Sequence, residues 1–202
     1  IDPFEVRGAH GRHYLRTSPE YAIKKLLARG VRNVFTLGPC FRDEPSSALH
    51  QPEFTMLEWY AAGRTLEELM DETELLLRHL WSSLGRPKLE REAYEVNLEV
   101  PFDRVSMSEL WRRELGFCPI EANTLSLLLE AANDYQLRFS KNTDCYDALF
   151  HQLFLNYIEP RLARRAPTFV YGWPASQSAL ARLNPNDLRT ALRFELYAGG
   201  LE

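Results

Sequence analysis

Between Phe41 and Tyr60 the chain reads FRDEPSSALHQPEFTMLEWY. Arg42, Glu44, His50, Glu53 and Glu58 fall among Phe54, Met56, Leu57 and Trp59, more ionisable groups than a plain strand pair needs. An arginine fork can hold a phosphate or a carboxylate through two parallel hydrogen bonds. A carboxylate such as Glu58 can pair with an ammonium, and a ring such as Phe54 can stack on a flat base. Side chains alternate along a strand, so Phe54, Met56, Glu58 and Tyr60 share one face and Thr55, Leu57 and Trp59 share the other. Arg42 and Glu44 share a face for the same reason. If residues 45–51 close a hairpin, Arg42, Glu44, Phe54, Glu58 and Tyr60 form one binding floor, and the apolar reverse packs on helices. Spacing leaves a second reading open, a solvated sheet face with cross-strand ion pairs.

The elements that must position this floor are well marked. TSPEYAIKKLLARG predicts a helix that Thr17 or Ser18 can cap, with Pro19 in the first turn and Gly30 at the end. Tyr21, Ile23, Leu26 and Leu27 give it an apolar side. NVFTLGPCFRDE predicts a strand with an irregularity at Gly38-Pro39, and EFTMLEWYAAG predicts the next strand. TLEELMDETELLLRHLWSSLG is a long amphipathic helix, with Leu66, Leu69, Met70, Thr73, Leu76, Leu77 and Leu80 at helical spacing. Short strands and the Ser106- or Ser108-capped helix VSMSELWRREL follow between Pro87 and Pro119. NTLSLLLEAANDYQL and DCYDALFHQLFLNYIEPRL predict two further helices, PTFVYGWP a strand, and LRTALRFELYAGGLE one closing strand. This order implies an α+β domain with an antiparallel sheet, spanning 1–202 as one unit.

The 202 residues are 45% hydrophobic and 26% charged, enough for a real core in an ordinary globular protein. A net charge of −4 provides no overall basic field for nucleic acid. Cys40, Cys118 and Cys145 are odd in number and widely spaced, which reads as reduced thiols in a cytoplasmic protein. No apolar run is long enough to span a bilayer, and the first residues do not read as a signal peptide. The chain opens at Ile1 and closes on YAGGLE, and is read as a portion of a longer protein. His10 and His13 in AHGRH read as exposed loop residues rather than metal ligands, and RLARR as a solvated helix end rather than an RNA site.

The run FRDE…HQPEFTMLEWY resembles motif 2 of the class II aminoacyl-tRNA synthetases, in the form used by the lysine enzymes. TSPEYAIKKLL resembles the segment that precedes it in that family, and RFELYAGGLE the strand that opens the metal-binding region. PTFVYGWPASQSALARL is similar to the corresponding segment of one branch, the elongation factor P lysine (β-lysine) ligases, where lysyl-tRNA synthetases carry something closer to YPVEVSPLA. The match runs in order along nearly the whole chain.

The resemblance implies amino-acid activation: a carboxylate attacks the α-phosphate of ATP, giving an aminoacyl-adenylate and pyrophosphate. It implies Arg42 at the α-phosphate and substrate carboxylate, as the catalytic residue. It implies Asp43, Glu44, His50, Gln51 and Phe54 around ATP, with Phe54 stacked on adenine. Ser18, Pro19 and Glu20 would receive the substrate α-amino group, and Glu58 and Tyr60 the lysine side chain. Glu202 would be the first of two acids holding Mg²⁺ between ATP phosphates. The residues alone leave blander roles open: an ion pair of Arg42 with Asp43 or Glu44, core packing for Phe54, and helix-dipole stabilisation for Glu20.

The expected substrates are ATP and lysine or β-lysine, with elongation factor P as acceptor, in a homodimer with no membrane partner and no tRNA. The alternatives are a lysyl-tRNA synthetase catalytic domain and a non-catalytic paralogue that binds a partner. Three departures are expected to matter. The loop reads PSSAL where the family carries an arginine before the histidine. Motif 1 is not visible before Ile1, and motif 3 is not visible after Glu202.

Overall fold

The computed structural model describes residues 1–91, 94–122, 125–136 and 145–202. Chain contacts divide it into two compact units, Ile1–Arg64 and Thr65–Glu202. In the first unit, β1 (Glu5–Gly8) and β2 (Gly11–Tyr14) form an exposed antiparallel hairpin. The AHGRH segment is therefore a hairpin turn and strand, with His10 and His13 exposed. Helix α1 (Glu20–Ala28) follows, and Gly30 closes it in the left-handed region at φ +94°. Pro19 occupies the N-cap, which makes no side-chain cap bond. Ser18 stands one residue further out, where its Oγ accepts from the Glu20 N–H at 3.0 Å. Of the expected apolar side only Ile23 is buried, while Tyr21 and Leu26 are exposed.

β3 (Asn33–Phe41) pairs antiparallel with β4 (Glu53–Ala61) without a register shift, from Asn33↔Ala61 to Phe41↔Glu53. The irregularity expected at Gly38-Pro39 is absent. The Pro39 carbonyl accepts from Arg16 Nε at 2.8 Å, so it points away from β4. A strand residue's N–H and C=O point to the same side, so the N–H that proline lacks removes no ladder bond.

In the second unit, α2 (Leu66–Ser83) starts at a capping box: Thr65 Oγ1 accepts from Glu68 N, and Glu68 Oε2 accepts from Thr65 N. β5 (Leu89–Arg91) and β6 (Tyr94–Val96) pair, and β7 (Asp103–Ser106) leads into α3 (Met107–Leu115), capped by Ser106. α4 (Pro119–Ala122), α5 (Leu125–Asp134) and α6 (Tyr146–Leu153) follow. Asn123, Thr124, Leu137 and Asp144 of the expected helices lie outside the described residues. After α6 comes a π-helical turn, Phe154–Ile158, then α7 (Glu159–Leu162).

β8 (Thr168–Tyr171) lies between β7, to which it runs parallel, and β11 (Phe194–Tyr197), to which it runs antiparallel. The sheet is thus mixed here rather than purely antiparallel. The single closing strand expected from LRTALRFELYAGGLE is two, because β10 (Asp187–Ala191) pairs with β9 (Leu183–Asn184) and β11 with β8. Arg193, between them, sends its Nη1 to the Gln177 carbonyl at 2.5 Å.

The main core gathers Trp111, Phe150, Phe154 and Trp173, with a smaller cluster of Met70, Leu98, Phe102 and Phe169. Of the RLARR cluster, Arg161 and Arg165 both pair with Glu114 of α3, whose side chain is only 9% exposed. Cys40 and Cys118 are buried, Cys145 is exposed, and all three are free. No helix among the described residues is long and apolar enough to cross a membrane.

Candidate active site

The β3–β4 register puts Cys40 opposite Phe54, Gly38 opposite Met56, Thr36 opposite Glu58 and Val34 opposite Tyr60. Phe54, Met56, Glu58 and Tyr60 are half-buried and alternate with exposed Glu53, Thr55 and Leu57, so the β4 side of the expected floor forms. Arg42 and Glu44 lie just past the end of β3. Arg42 is anchored by its N–H to the Pro52 carbonyl at 2.8 Å, and its guanidinium lies 5.1 Å from the centre of the Phe54 ring. Its Nε is buried and has no hydrogen-bond partner among the described residues. It forms no ion pair with Asp43 or Glu44, so the bland reading of Arg42 does not describe it. A buried guanidinium nitrogen without an acceptor carries a desolvation cost that an anionic ligand can relieve.

Glu58 is the most constrained acid on the face. Ser18 Oγ donates to Glu58 Oε2 at 2.5 Å, and Tyr60 Oη donates to Glu58 Oε1 at 2.9 Å. The same Ser18 oxygen accepts the Glu20 N–H, so the start of α1 and the middle of β4 are joined through one hydroxyl. Burial, then the Glu58 hydrogen bond and charge, then the Glu20 charge hold the Tyr60 phenol well above its ordinary value near 10. Both carboxylates thus act on one phenol, which stays a neutral donor. Glu20 itself pairs with Lys24 at 2.6 Å across one helical turn. Its place at the head of α1 also suits the helix dipole, so the blander role stands beside the binding one.

The 42–52 loop is organised by Ser47, whose Oγ accepts from the N–H groups of Leu49 and His50. Asp43, His50 and Gln51 are exposed there, and Glu44 is half-buried. The reverse of the hairpin departs from expectation. Phe35 and Leu37 are 71% and 65% exposed and Leu57 is 39% exposed, so within the first unit no helix covers that face. Apolar patterning reports which face avoids water, and the first unit offers it only the nine-residue α1.

In the second unit, Glu202 is exposed. Its charge, with those of Glu195 and Glu159, acts on Tyr197, whose phenol is driven up first by burial and then by Glu195. Tyr197 Oη donates to Glu195 Oε2 at 2.6 Å, and Arg193 pairs with Glu195 and lies over Trp173. No group of three or more His, Cys, Asp or Glu side chains is placed to hold a metal among the described residues.

The family model for tRNA synthetases class II (D, K and N) matches residues 1–202. The chain belongs to this family. Within it, the chain is 38% identical over 195 residues to an elongation factor P–(R)-β-lysine ligase of Vibrio vulnificus (strain YJ016), covering 96% of this chain and 55% of the relative. It is 39% identical over 189 residues to the ligase of that name from Vibrio cholerae serotype O1, covering 94% and 53%. It is 35% identical over 206 residues to the one from Salmonella arizonae, covering 99% and 58%. The chain therefore spans about half the length of the curated relatives it matches.

The structure brings Ser18, Glu20, Glu58 and Tyr60 together, and Arg42 with Phe54. Sequence reasoning passed over Arg16, which lies across the same face and binds the Pro39 carbonyl. The one signal for it was a glycine at 38, in mid-strand.

Proposed function

We propose that this chain is the catalytic region of an ATP-dependent, AMP-forming ligase that activates lysine or β-lysine and transfers it to a lysine of elongation factor P. The observation that carries the reading is the Glu58 carboxylate, held on both oxygens by Ser18 and Tyr60 next to Glu20. A substrate with two amines and one carboxylate needs two acids and one fixed guanidinium. Glu20, Glu58 and Arg42 supply that set on one hairpin and the helix before it. An ammonium in a partly desolvated site is favoured by a carboxylate already oriented for it, and an uncharged side chain would leave that acid unpaired.

In the first step a carboxylate oxygen of the amino acid attacks the α-phosphorus of ATP, the mixed anhydride forms, and pyrophosphate leaves. Arg42 stabilises the charge that builds on the α-phosphate oxygens. Phe54 supports the adenine, with Asp43, Glu44, His50 and Gln51 along the nucleotide. In the second step a lysine amine of the acceptor attacks the acyl carbon, and AMP leaves with the anhydride oxygen. Glu202 would hold Mg²⁺ with the ATP phosphates, a single carboxylate plus phosphate oxygens being a common set for that ion; it would supply charge neutralisation there. The synthetase-like sheet flanked by helices, the homodimer and the cytoplasmic location belong to the same proposal.

The names of the relatives support this acceptor, and the net charge of −4 weighs against a polyanionic one. The test gives the full-length protein ATP and labelled lysine or β-lysine with elongation factor P or tRNA. A mass increment on one lysine of the factor, with tRNA uncharged, is the expected result. Charging of tRNA alone moves the assignment to a lysyl-tRNA synthetase. Transfer to neither, without lysine-dependent pyrophosphate exchange, moves it to a non-catalytic paralogue, which the uncharged PSSAL loop would suit.

A further inference from the structure

Arg16 stands outside every role assigned so far. Its carbonyl accepts from Phe41 N–H at 2.9 Å, and its Nε donates to the Pro39 carbonyl at 2.8 Å, so both ends of the residue are fixed to β3. The position of its guanidinium follows from Gly38. A Cβ built on Gly38 would lie 2.8 Å from Arg16 Nη2. Gly38 faces Met56 across the ladder, so that Cβ would project on the side of Phe54, Glu58 and Tyr60. The Arg16 guanidinium therefore crosses the binding floor itself, in space that only a glycine leaves open. Arg16 is exposed, and its Nη groups make no ion pair or hydrogen bond with any described residue.

Its place along the face gives it a task. The rung at Cys40 and Phe54 carries Arg42; the rung at Thr36 and Glu58 carries the amine-binding acid; Arg16 lies across the rung between them. Rungs on one face are about 7 Å apart, so the three stations span one amino acid joined to one nucleotide. The groups that meet in the middle of such a pair are the substrate carboxylate and the α-phosphate. Both are anions, and they repel each other until the bond forms. Arg42 brings a single positive charge to these two anions, so a second cation between them lowers their repulsion further. We infer that Arg16 is a second substrate-binding arginine, which holds the carboxylate or the phosphate where the two anions are brought together. This rests on the reading of the site as an amino-acid-activating one.

The test uses lysine-dependent pyrophosphate exchange and equilibrium titrations of ATP and of lysine, in the full-length protein. Arg16→Gln should lower kcat/KM by about tenfold to a hundredfold, the effect of losing a charge-assisted hydrogen bond. A rise confined to KM for ATP assigns the contact to phosphate, and a rise confined to KM for lysine assigns it to the carboxylate. Gly38→Ala keeps the arginine but displaces its guanidinium, and should reproduce the loss with an unchanged thermal midpoint. The double variant should be no worse than either single one, since both remove one interaction. Arg16→Gln within twofold of the parent overturns the inference. So does a loss that comes with a lowered midpoint while Gly38→Ala is harmless, because Arg16 would then only clip β3 in place. If the parent itself shows no exchange, the activation reading fails separately. The titrations then decide Arg16: equal affinities of parent and Arg16→Gln for ATP and for lysine overturn it, and weaker binding of either sustains it.

Discussion

In the proposed reading, Glu58 is the residue on which selectivity turns. Its carboxylate receives two hydroxyl donors, and both remain satisfied without any ligand. Replacing it by glutamine keeps one acceptor oxygen for Tyr60 and turns an NH₂ towards Ser18, whose hydroxyl can rotate to accept. The fold should therefore tolerate Glu58→Gln, while the attraction for an ammonium is lost. Lysine affinity is expected to fall by about tenfold or more, with ATP affinity nearly unchanged. Equal losses for the two ligands in parallel titrations would show that Glu58 supports the hairpin instead. Tyr60 remains protonated throughout the physiological range because burial and the neighbouring acids oppose its ionisation. It can thus donate to Glu58 at any pH at which the reaction would be run.

At the scale of single elements, α2 shows how little its start depends on the rest of the fold. Thr65 and Glu68 satisfy each other's backbone N–H groups three residues apart. Such a box offsets the unpaired donors at a helix N-terminus, which have no partner inside the helix. Thr65→Ala should cost about 1 kcal/mol in urea denaturation, and Thr65→Ser should restore most of it. A neutral Thr65→Ala would mean that water serves those donors as well as the side chain does. The β3–β4 hairpin behaves otherwise. Its proposed binding face is finished by residues that precede β3, Ser18 and Arg16, so cutting the hairpin from α1 would leave Glu58 with one donor fewer.

For the molecule as a whole, two of the three arginines of the RLARR segment, Arg161 and Arg165, are tied down by one acid. Glu114 receives Arg113, Arg161 and Arg165. Burial alone would raise its pKa, but the hydrogen bonds from Arg113 and Arg161 and the charge of Arg165 outweigh that and hold it below the usual glutamate range. A carboxylate depressed on folding contributes stability that is complete above its unfolded value and is lost as pH falls through the folded one. Glu114→Gln is expected to destabilise the protein by about 1–3 kcal/mol at neutral pH, discounted by the exposure of its partners. The gap from the parent should close in denaturation curves taken below the ordinary glutamate range. A gap that persists unchanged in acid would remove the ion pairs as its cause.

The sequence by itself determined the hairpin, the order of groups along its face, the Ser106 cap and the family. These depend on neighbours in the chain: a period of two fixes which side chains share a strand face, and a three-residue spacing fixes a cap. It also placed Glu58 and Tyr60 beside one another, because residues two apart on a strand must be. Only the tertiary structure decided that Ser18, forty positions earlier, donates to Glu58, and that Arg16 uses the gap at Gly38. It also decided that β7 pairs in parallel with β8, that the last strand breaks at Leu192 and Arg193, and that Phe35 and Leu37 stay exposed. Each of these is set by which distant segment arrives alongside. Local periodicity carries no information about such arrivals, because the loop entropy and packing that select them are sums over the whole chain.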